Sequence, residues 1–403
     1  MKPIGVLGAS GAVGAAAVEA LVRLRIGPLR LGARNSAQVA RTAREAGLRV
    51  VEGPSGEEAV AEVLAVDVTD QHRLREFVRG CVVVLDCTGP SYELGEAVPV
   101  AALAEQVACV LVTGEQPVHD ALLARGPAPV PVVLSAGTLP GLSGLLPRLL
   151  AEAVTGPDPK PTGSGPAGPS GDQKHPAVGA SLAVYTGGLE RATTTVAADL
   201  VLSLGAAASG NLFGEAGAAW REGARRSRVL TANEDAEAPG FEGRVGIQPF
   251  LSREAERVAE ALNLRDLDWY HVHPGAAVRA RLATLPAARH REVPMEDLVE
   301  SILRAAEVDL SGRNPHYRMV FEITRTDGRQ QSLLVRSPDS YRLTGAVGAC
   351  AVAQILSGMV RSGLHFADRG LDPRTLIEHL RLADPGTRID IVDGGAEDEE
   401  GVL

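Results

Sequence analysis

The sequence predicts an α/β protein built on a Rossmann-type doubly wound parallel sheet, followed by an α+β region. Three observations carry this. The chain opens Ile-Gly-Val-Leu-Gly-Ala-Ser-Gly-Ala-Val-Gly at 4–14, an apolar run meeting a glycine turn, and a helix-like stretch follows at 15–24. Short apolar runs then alternate with helical ones to residue 134, the rhythm of a parallel sheet with crossover helices. From 181 the rhythm changes to longer alternating strands, and Thr326-Asp327-Gly328-Arg329 reads as a hairpin turn.

The first strand is expected at 4–7. Its turn carries Gly8, Gly11 and Gly14 at a spacing that suits a dinucleotide. Gly8 allows the turn, Gly11 lets the backbone approach a pyrophosphate, and Gly14 permits close helix–strand packing. Backbone N–H groups around Ser10, Ala12 and Val13 converge there with the positive end of the helix dipole. The second strand, 29–31, ends in Gly-Ala-Arg-Asn, and a helix is expected at 39–46. Further strands are expected at 63–68, 82–85, 109–112 and 130–134, with a small-residue helix at 98–108. Their ends carry Asp67-Val68, Thr88-Gly89-Pro90, Thr113-Gly114-Glu115 and Ser135-Ala136-Gly137. In such sheets ligands bind at the carboxyl ends of the strands.

Residues 155–178, rich in Pro, Gly and Ser, have almost nothing to bury and read as a linker. Beyond it, strands are expected at 181–186, 244–251, 267–272, 318–324 and 331–336, with helices at 193–204, 252–262 and 295–306. A long small-residue helix at 339–360 and a last helix at 371–383 follow. The expected organisation is a dinucleotide-binding domain at 1–150, a linker at 151–178 and an α+β substrate and dimerisation domain at 179–338. An acidic tail, 391–403, is expected to be disordered from Glu397.

A net charge of −10 argues against nucleic acid and anionic membranes as partners. No apolar run reaches the roughly 18 residues of a membrane span, and no secretory leader pattern opens the chain, so a cytoplasmic protein is expected. Aromatic residues are only 3% of the chain, so the core must be built mainly from Ala, Val and Leu. Cys81, Cys87, Cys109 and Cys350 show no metal-ligand spacing; they read as reduced small hydrophobes, and no metal is expected.

NAD selectivity normally rests on an acidic residue after the second strand. Here Arg34 and Asn35 stand there. Arg34 can pair with a 2′-phosphate through its planar fork and Asn35 can add a hydrogen bond, so the expected cofactor is NADP(H). Asp67 and Val68 fall at the adenine edge, and Thr88, Gly89 and Pro90 near the ribose and nicotinamide. Tyr92 follows that loop as a proton-transfer candidate or a packing tyrosine, and Glu115 could orient a substrate or cap its loop. His271 and His273 share one strand face and read as acid/base groups, a metal pair or ordinary polar residues. Tyr185, Arg191, Arg244 and Arg336 are candidates to bind a substrate carboxylate. No Gly-x-Ser-x-Gly nucleophile elbow occurs, and Leu142-Ser143-Gly144 reads as a helix entry.

The order of several motifs resembles the saccharopine dehydrogenase-like oxidoreductases. These are Val-Leu-Gly-Ala-Ser-Gly-Ala-Val-Gly at 6–14, Asp-Cys-Thr-Gly-Pro at 86–90, Thr-Gly-Glu at 113–115 and Leu-Pro-Gly-Leu-Ser-Gly-Leu-Leu at 139–146. Ser-Tyr-Arg-Leu-Thr-Gly at 340–345 and Gly-Leu-His at 363–365 look like that family's C-terminal helix region. The resemblance implies a Rossmann domain built from both chain ends, here 1–150 completed by helices in 339–390, with the α+β domain inserted between them. It also implies NAD(P)-dependent chemistry at a carbon–nitrogen bond, usually of an amino acid or polyamine. The chain departs from the pattern where the family often has Tyr-Val-Asp before Thr-Gly-Glu: here stand Cys109, Val110 and Leu111. The expected activity is NADP-dependent reduction or formation of a C=N bond in an imine or amino-acid-derived small molecule. A C=C reductase of an acyl thioester and a non-catalytic NADP-binding sensor are the alternatives. A homodimer is expected through the central domain, because a sheet with one open face needs a cover.

Overall fold

The computed structural model describes residues 2–51, 60–153, 179–207 and 212–396. The N-terminal part runs β1 (Ile4–Leu7), α1 (Ala12–Arg23), β2 (Leu29–Ala33), α2 (Ser36–Glu45), β3 (Arg49–Val51), β4 (Val60–Ala65), α3 (Gln71–Val78) and β5 (Val83–Asp86). It continues with α4 (Ser91–Leu94), α5 (Ala97–Ala104), β6 (Ala108–Leu111), α6 (Gln116–Leu123), β7 (Pro131–Leu134) and α7 (Leu142–Ala153). The middle part runs β8 (Ser181–Leu189), α8 (Thr194–Ala207), β9 (Gly214–Ala216), β10 (Ala219–Arg221), β11 (Ala224–Arg226), β12 (Asn233–Ala236), β13 (Val245–Ser252) and α9 (Arg253–Leu262). Then come β14 (Asp266–His273), α10 (Ala276–His290), α11 (Met295–Leu310), β15 (His316–Thr324) and β16 (Gln330–Ser337). The chain closes with α12 (Ser340–Leu356), β17 (Gly363–Phe366), α13 (Ala367–Gly370), α14 (Pro373–Ala383) and β18 (Arg388–Asp393).

The first sheet is parallel throughout, in the order β17-β7-β6-β5-β1-β2-β4-β3. Every residue of β1, β5 and β6 is buried, as expected for strands covered by helices on both faces. Strand order reverses at β1, which lies between β2 and β5, and this reversal opens the crevice where such sheets bind ligands. The second sheet is mixed. It runs β11-β10-β14-β8-β15-β16-β18, with β13 beside β14 and β9 and β12 on β13. The protein is thus α/β, a Rossmann-like sheet plus a second, mixed-sheet domain.

Both ends of the chain serve the first sheet. β17 lies at its edge beside β7, and α12 packs along α1. A side chain at Gly345 would bring its Cβ within 2.5 Å of Ala17 N and Val13 O, so the two helices meet there only through glycine. One continuous apolar core then joins the sheets. It holds Val6 and Leu31 of the first, Leu142 and Leu146 of α7, and Trp269 and Phe321 of the second.

Several expectations shift. The third expected strand, 63–68, is observed at Val60–Ala65; Val66 and Val68 are buried beyond its end, which kept the apolar pattern running. The helix at 98–108 stops at Ala104, and Gln106 takes a left-handed φ of 54° that turns the chain into β6. Gly-Leu-His at 363–365 is strand β17, not helix, and α12 ends at Leu356. Residues 388–393, expected to end a helical region and begin a tail, form β18 against β16. Helices α3 and α10 and the short strands β3 and β9 to β12 were not expected. The linker stretch 155–178 and the tail from Glu397 lie outside the described residues.

Candidate functional site

The glycine turn after β1 combines two kinds of constraint. Gly8 has φ 74°, and a Cβ there would lie 2.6 Å from Cys87 O. A Cβ on Gly14 would lie 2.1 Å from Gly8 O, so strand, turn and helix touch through these two residues. Gly11 differs. Its φ of −80° suits any residue, and a Cβ there would meet only Gly8 O, at 3.3 Å. No side chain caps α1, and its first turn holds no acid. The helix therefore presents uncapped N–H groups across an open cradle, the arrangement a pyrophosphate requires. Gln38 braces the turn from α2, its Nε2 donating to Ser10 O at 3.2 Å.

Arg34 is exposed just past the carboxyl end of β2. Asn35 is engaged locally, where its Oδ1 accepts Gln38 N at 3.1 Å and caps α2. Asp67 accepts Thr69 N at 3.0 Å and Thr69 Oγ1 at 2.7 Å. Those bonds hold its carboxyl below the usual range, with nearby Arg34 adding to them. The Val68 side chain turns into the core instead of facing the crevice, because it completes the cluster around Leu74 and Phe77.

Beyond β5 and β6 lies a pocket of about 210 Å³, lined by Asp86, Thr88, Ser91, Tyr92, Glu115 and Phe213 among others. Asp86 ends β5; its Oδ1 accepts Thr88 N at 2.9 Å and Thr88 Oγ1 at 2.6 Å, and burial pushes its carboxyl up to about 6. The Thr88 hydroxyl is thereby committed. Gly89 is pressed by the central domain: a Cβ there would lie 2.4 Å from Thr195 Cγ2. Asp199 of α8 secures the same loop, accepting Ser91 Oγ at 3.2 Å and Tyr92 N at 3.4 Å.

Tyr92 and Glu115 come together. The phenol points at Glu115 Oε1 across 3.4 Å, longer than an ordinary O–H···O bond, and Phe213 meets the Tyr92 ring edge-on at 4.8 Å. Glu115 occupies the N-cap position of α6 but makes no capping bond, so it does not serve as the loop cap. Burial pushes its carboxyl up to about 7, against the Tyr92 hydroxyl and Arg257, which lower it. Burial, then the charges of Glu115 and Asp199, push the Tyr92 phenol well above its ordinary range.

The other candidates are not brought to this pocket. His271 sits in register with Thr186 on β8 and Gln248 on β13, its ring 5.7 Å from Phe250. Burial, with His273 adding, lowers it to about 4, so it is neutral at pH 7. Phe250 lies against Gly214, the residue after Phe213, and neither Phe250 nor His271 lines the pocket. Tyr185 stacks on Tyr270 at 5.1 Å, on the sheet face opposite His271. Arg244 is exposed and pairs with Asp235 at 2.6 Å and Glu237 at 3.3 Å. Arg336 pairs with Asp390 of β18 at 3.0 Å. Both arginines are held by acids of their own sheet region. Arg191 alone of the four lies at the junction: its carbonyl accepts the Tyr341 hydroxyl at 2.8 Å, a few residues before Thr195 and Asp199. Asp199, Phe213 and Arg257 were not anticipated. They reach the site from a domain whose placement no local pattern encodes.

A larger pocket, about 430 Å³, lies on the central domain around Phe241, Arg313, His316 and Arg318. It is not at the strand ends of the first sheet, and Arg318 is already bound to Gly240 O and Glu242. Among the described residues no group of three or more His, Cys, Asp or Glu is placed to hold a metal ion. No helix of the described residues is long and apolar enough to cross a membrane.

The arrangement of a reversing parallel sheet, an α+β domain and a closing C-terminal strand has a solved counterpart. Saccharopine dehydrogenase (L-Glu forming) from Saccharomyces cerevisiae superposes with a TM-score of 0.62, over 97% of this chain and 100% of that one, at 14% identity. The chain has the fold of saccharopine dehydrogenase. The WlbA dehydrogenase from Thermus thermophilus, solved with NAD and α-ketoglutarate, aligns over 95% of this chain and 94% of its own with a TM-score of 0.39 and 11% identity, too distant to add to that conclusion. No family model matches the sequence, and no curated protein matches it. The likeness to saccharopine dehydrogenase is therefore one of architecture.

Proposed function

We propose that this protein is an NADP-dependent oxidoreductase that reduces, or in reverse forms, the C=N bond of an imine. The observation that carries the reading is the Tyr92–Glu115 pair, in a pocket just beyond the cofactor crevice of the sheet. The backbone around Ser10, Gly11, Ala12, Val13 and Gly14 would hold the pyrophosphate. Arg34 would take the 2′-phosphate, with Asn35 fixing the helix beside it. Asp67 would border the adenine edge, with Val68 contributing only backbone, and Thr88, Gly89 and Pro90 would face the ribose and nicotinamide. When bound, such a cofactor supplies hydride-transfer chemistry at C4 of its nicotinamide.

The protein's own part is positioning and one proton. As the imine carbon gains a hydrogen with its electron pair, the nitrogen must gain a proton. Glu115 is the group to give it, since a carboxyl near 7 holds a proton at neutral pH and releases it readily. Tyr92 aligns that carboxyl, and Asp199 fixes the loop that carries Tyr92. Among the described residues no cation lines the pocket that could take the phosphates of an acyl-thioester carrier, so the lining does not favour the C=C reading. The test is NADPH oxidation against a panel of cyclic and acyclic imines. Glu115→Gln should lower kcat at least tenfold with NADPH affinity unchanged. A wild-type protein that binds NADPH yet reduces no imine defeats the reading. We also infer a homodimer through the central domain. A single-chain mass by light scattering at micromolar concentration overturns that.

A further inference from the structure

The pocket is charged on one side only. Among the described residues Asp86, Glu96 and Glu115 line it, and no Arg, Lys or His does. Two of these carboxylates are engaged: Glu96 by Arg125, and Asp86 by Thr88. Glu115 makes one long contact, to Tyr92, through one of its two oxygens. Arg257, whose charge acts on Glu115, stands outside the pocket's lining, and its buried Nε has no hydrogen-bond partner. Its guanidinium lies 3.7 Å over the Phe366 ring and donates to Asp368 at 3.3 Å. The aromatic pair Tyr92 and Phe213 completes the wall.

On the central sheet a cation, Arg279, lies over Gly246 and His273. Gln248, His271 and Thr186 share one face in register across β13, β14 and β8, beside Phe250. His271 is neutral there, and the buried Thr186 hydroxyl has no hydrogen-bond partner. Of the four residues expected to hold a substrate carboxylate, Arg244, Arg336 and Tyr185 are engaged in other parts of the fold, and Arg191, at the domain junction, does not line this pocket.

We propose that the substrate of this pocket is a cationic amine or iminium that carries no carboxylate beside its nitrogen. This rests on the C=N reading and narrows it. An ammonium would lie against Glu115, with the electron-rich faces of Tyr92 and Phe213 available to it. A carboxylate in the same space would meet Glu115 with no cation among the described lining residues to offset the repulsion or its lost hydration.

The test uses matched rings. The full-length protein saturated with NADP is titrated calorimetrically with pyrrolidine and with proline, the same ring bearing a carboxylate. Pyrrolidine should bind at least tenfold more tightly than proline. Its binding at pH 7 should release protons, read as a heat that varies with the buffer's ionisation enthalpy, because the ammonium drives Glu115 to ionise. Glu115→Gln should abolish that release and weaken pyrrolidine, while NADP still binds. Proline binding as tightly as pyrrolidine overturns the proposal, as does binding of neither ring. Turnover separates this from the broader reading. With NADPH, 2-methyl-1-pyrroline should be reduced in preference to 1-pyrroline-2-carboxylate. Preference for the carboxylate refutes the narrowing and leaves imine reduction standing. Reduction of neither defeats imine reduction, while the two titrations still judge the charge preference.

Discussion

Gly11 and Gly14 stand three residues apart in one turn and answer to different demands. Gly14 has no room for a side chain because Gly8 O is 2.1 Å from where its Cβ would be. Gly11 has more room, since a Cβ there would meet only Gly8 O at 3.3 Å, a tight contact that a small shift of the turn relieves, so its main constraint belongs to what binds. Gly14→Ala should therefore lower the melting temperature. Gly11→Val should lower it less than Gly14→Ala does and weaken NADPH at least tenfold, about 1.4 kcal/mol. An unaltered affinity in folded Gly11→Val would remove the cofactor assignment. Arg34→Ala should cost roughly 1.5–3 kcal/mol of NADPH binding and leave NADH unaffected, the mark of a charge-assisted contact to the extra phosphate. Equal losses for both cofactors would show that Arg34 reads something else. The glycine turn was legible in the sequence because all its parts are consecutive. Tyr92 and Glu115 were legible because each follows a strand of a sheet whose ligand edge is known in advance. Arg244 and Arg336 misled because a charged side chain does not announce its partner. Arg336 is answered by Asp390, on a strand that the sequence had not disclosed.

Elements carry a second kind of information, in how the two domains are fastened. Glu254 on α9 is buried, accepting Gly141 N at 2.7 Å and the Ser143 hydroxyl at the start of α7. Gly144 clears the space: a Cβ there would lie 2.9 Å from Glu254 Oε1 and 2.7 Å from Asp368 Cβ. The run Leu-Pro-Gly-Leu-Ser-Gly at 139–144 is thus the seat of a central-domain glutamate. Glu190, after β8, does the same at α12, accepting Ser340 N and, at 2.9 Å, Ser340 Oγ. Burial raises both carboxyls from 4.5 to about 7, and Asp368 adds to the rise at Glu254. A raised carboxyl binds its proton more tightly in the folded state. Its favourable contribution is full below the unfolded value and is lost as pH rises through about 7. Denaturant unfolding should therefore show stability falling between about pH 4.5 and pH 7 and levelling off above that. The Glu254→Gln, Glu190→Gln double variant should make that slope shallower, since glutamine does not titrate, with Asp86 and Glu115 supplying the rest. Glu254→Ala should cost roughly 1–3 kcal/mol at either pH by leaving the Gly141 N–H without a partner. A slope unchanged in the double variant would place the proton uptake elsewhere.

At the scale of the whole molecule, the chain crosses between the two sheets three times. It leaves the first sheet after α7, returns at α12, and leaves again after α14 to add β18 to the second. Neither domain is a continuous segment, and the core does not stop at their boundary: Val6, Leu146, Trp269 and Phe321 belong to one buried cluster. Alternating strands and helices announced two sheets of different kind. They could not announce this stitching, because β18 is short, polar and half-exposed and takes its identity only from pairing with β16. The stitching has a consequence for folding. Both tryptophans, Trp220 and Trp269, lie in the central domain, so their emission reports the second sheet alone. NADPH binding, on the reading above, reports the first. If the shared core makes the sheets one cooperative unit, the two probes should lose signal at the same denaturant concentration. Trp269→Phe, which shrinks the joint without emptying it, should move both midpoints down together. Separate transitions, or a Trp269→Phe variant in which only the remaining Trp220 signal shifts while NADPH binding keeps its midpoint, would show that the domains fold apart and that the continuous core does not couple them.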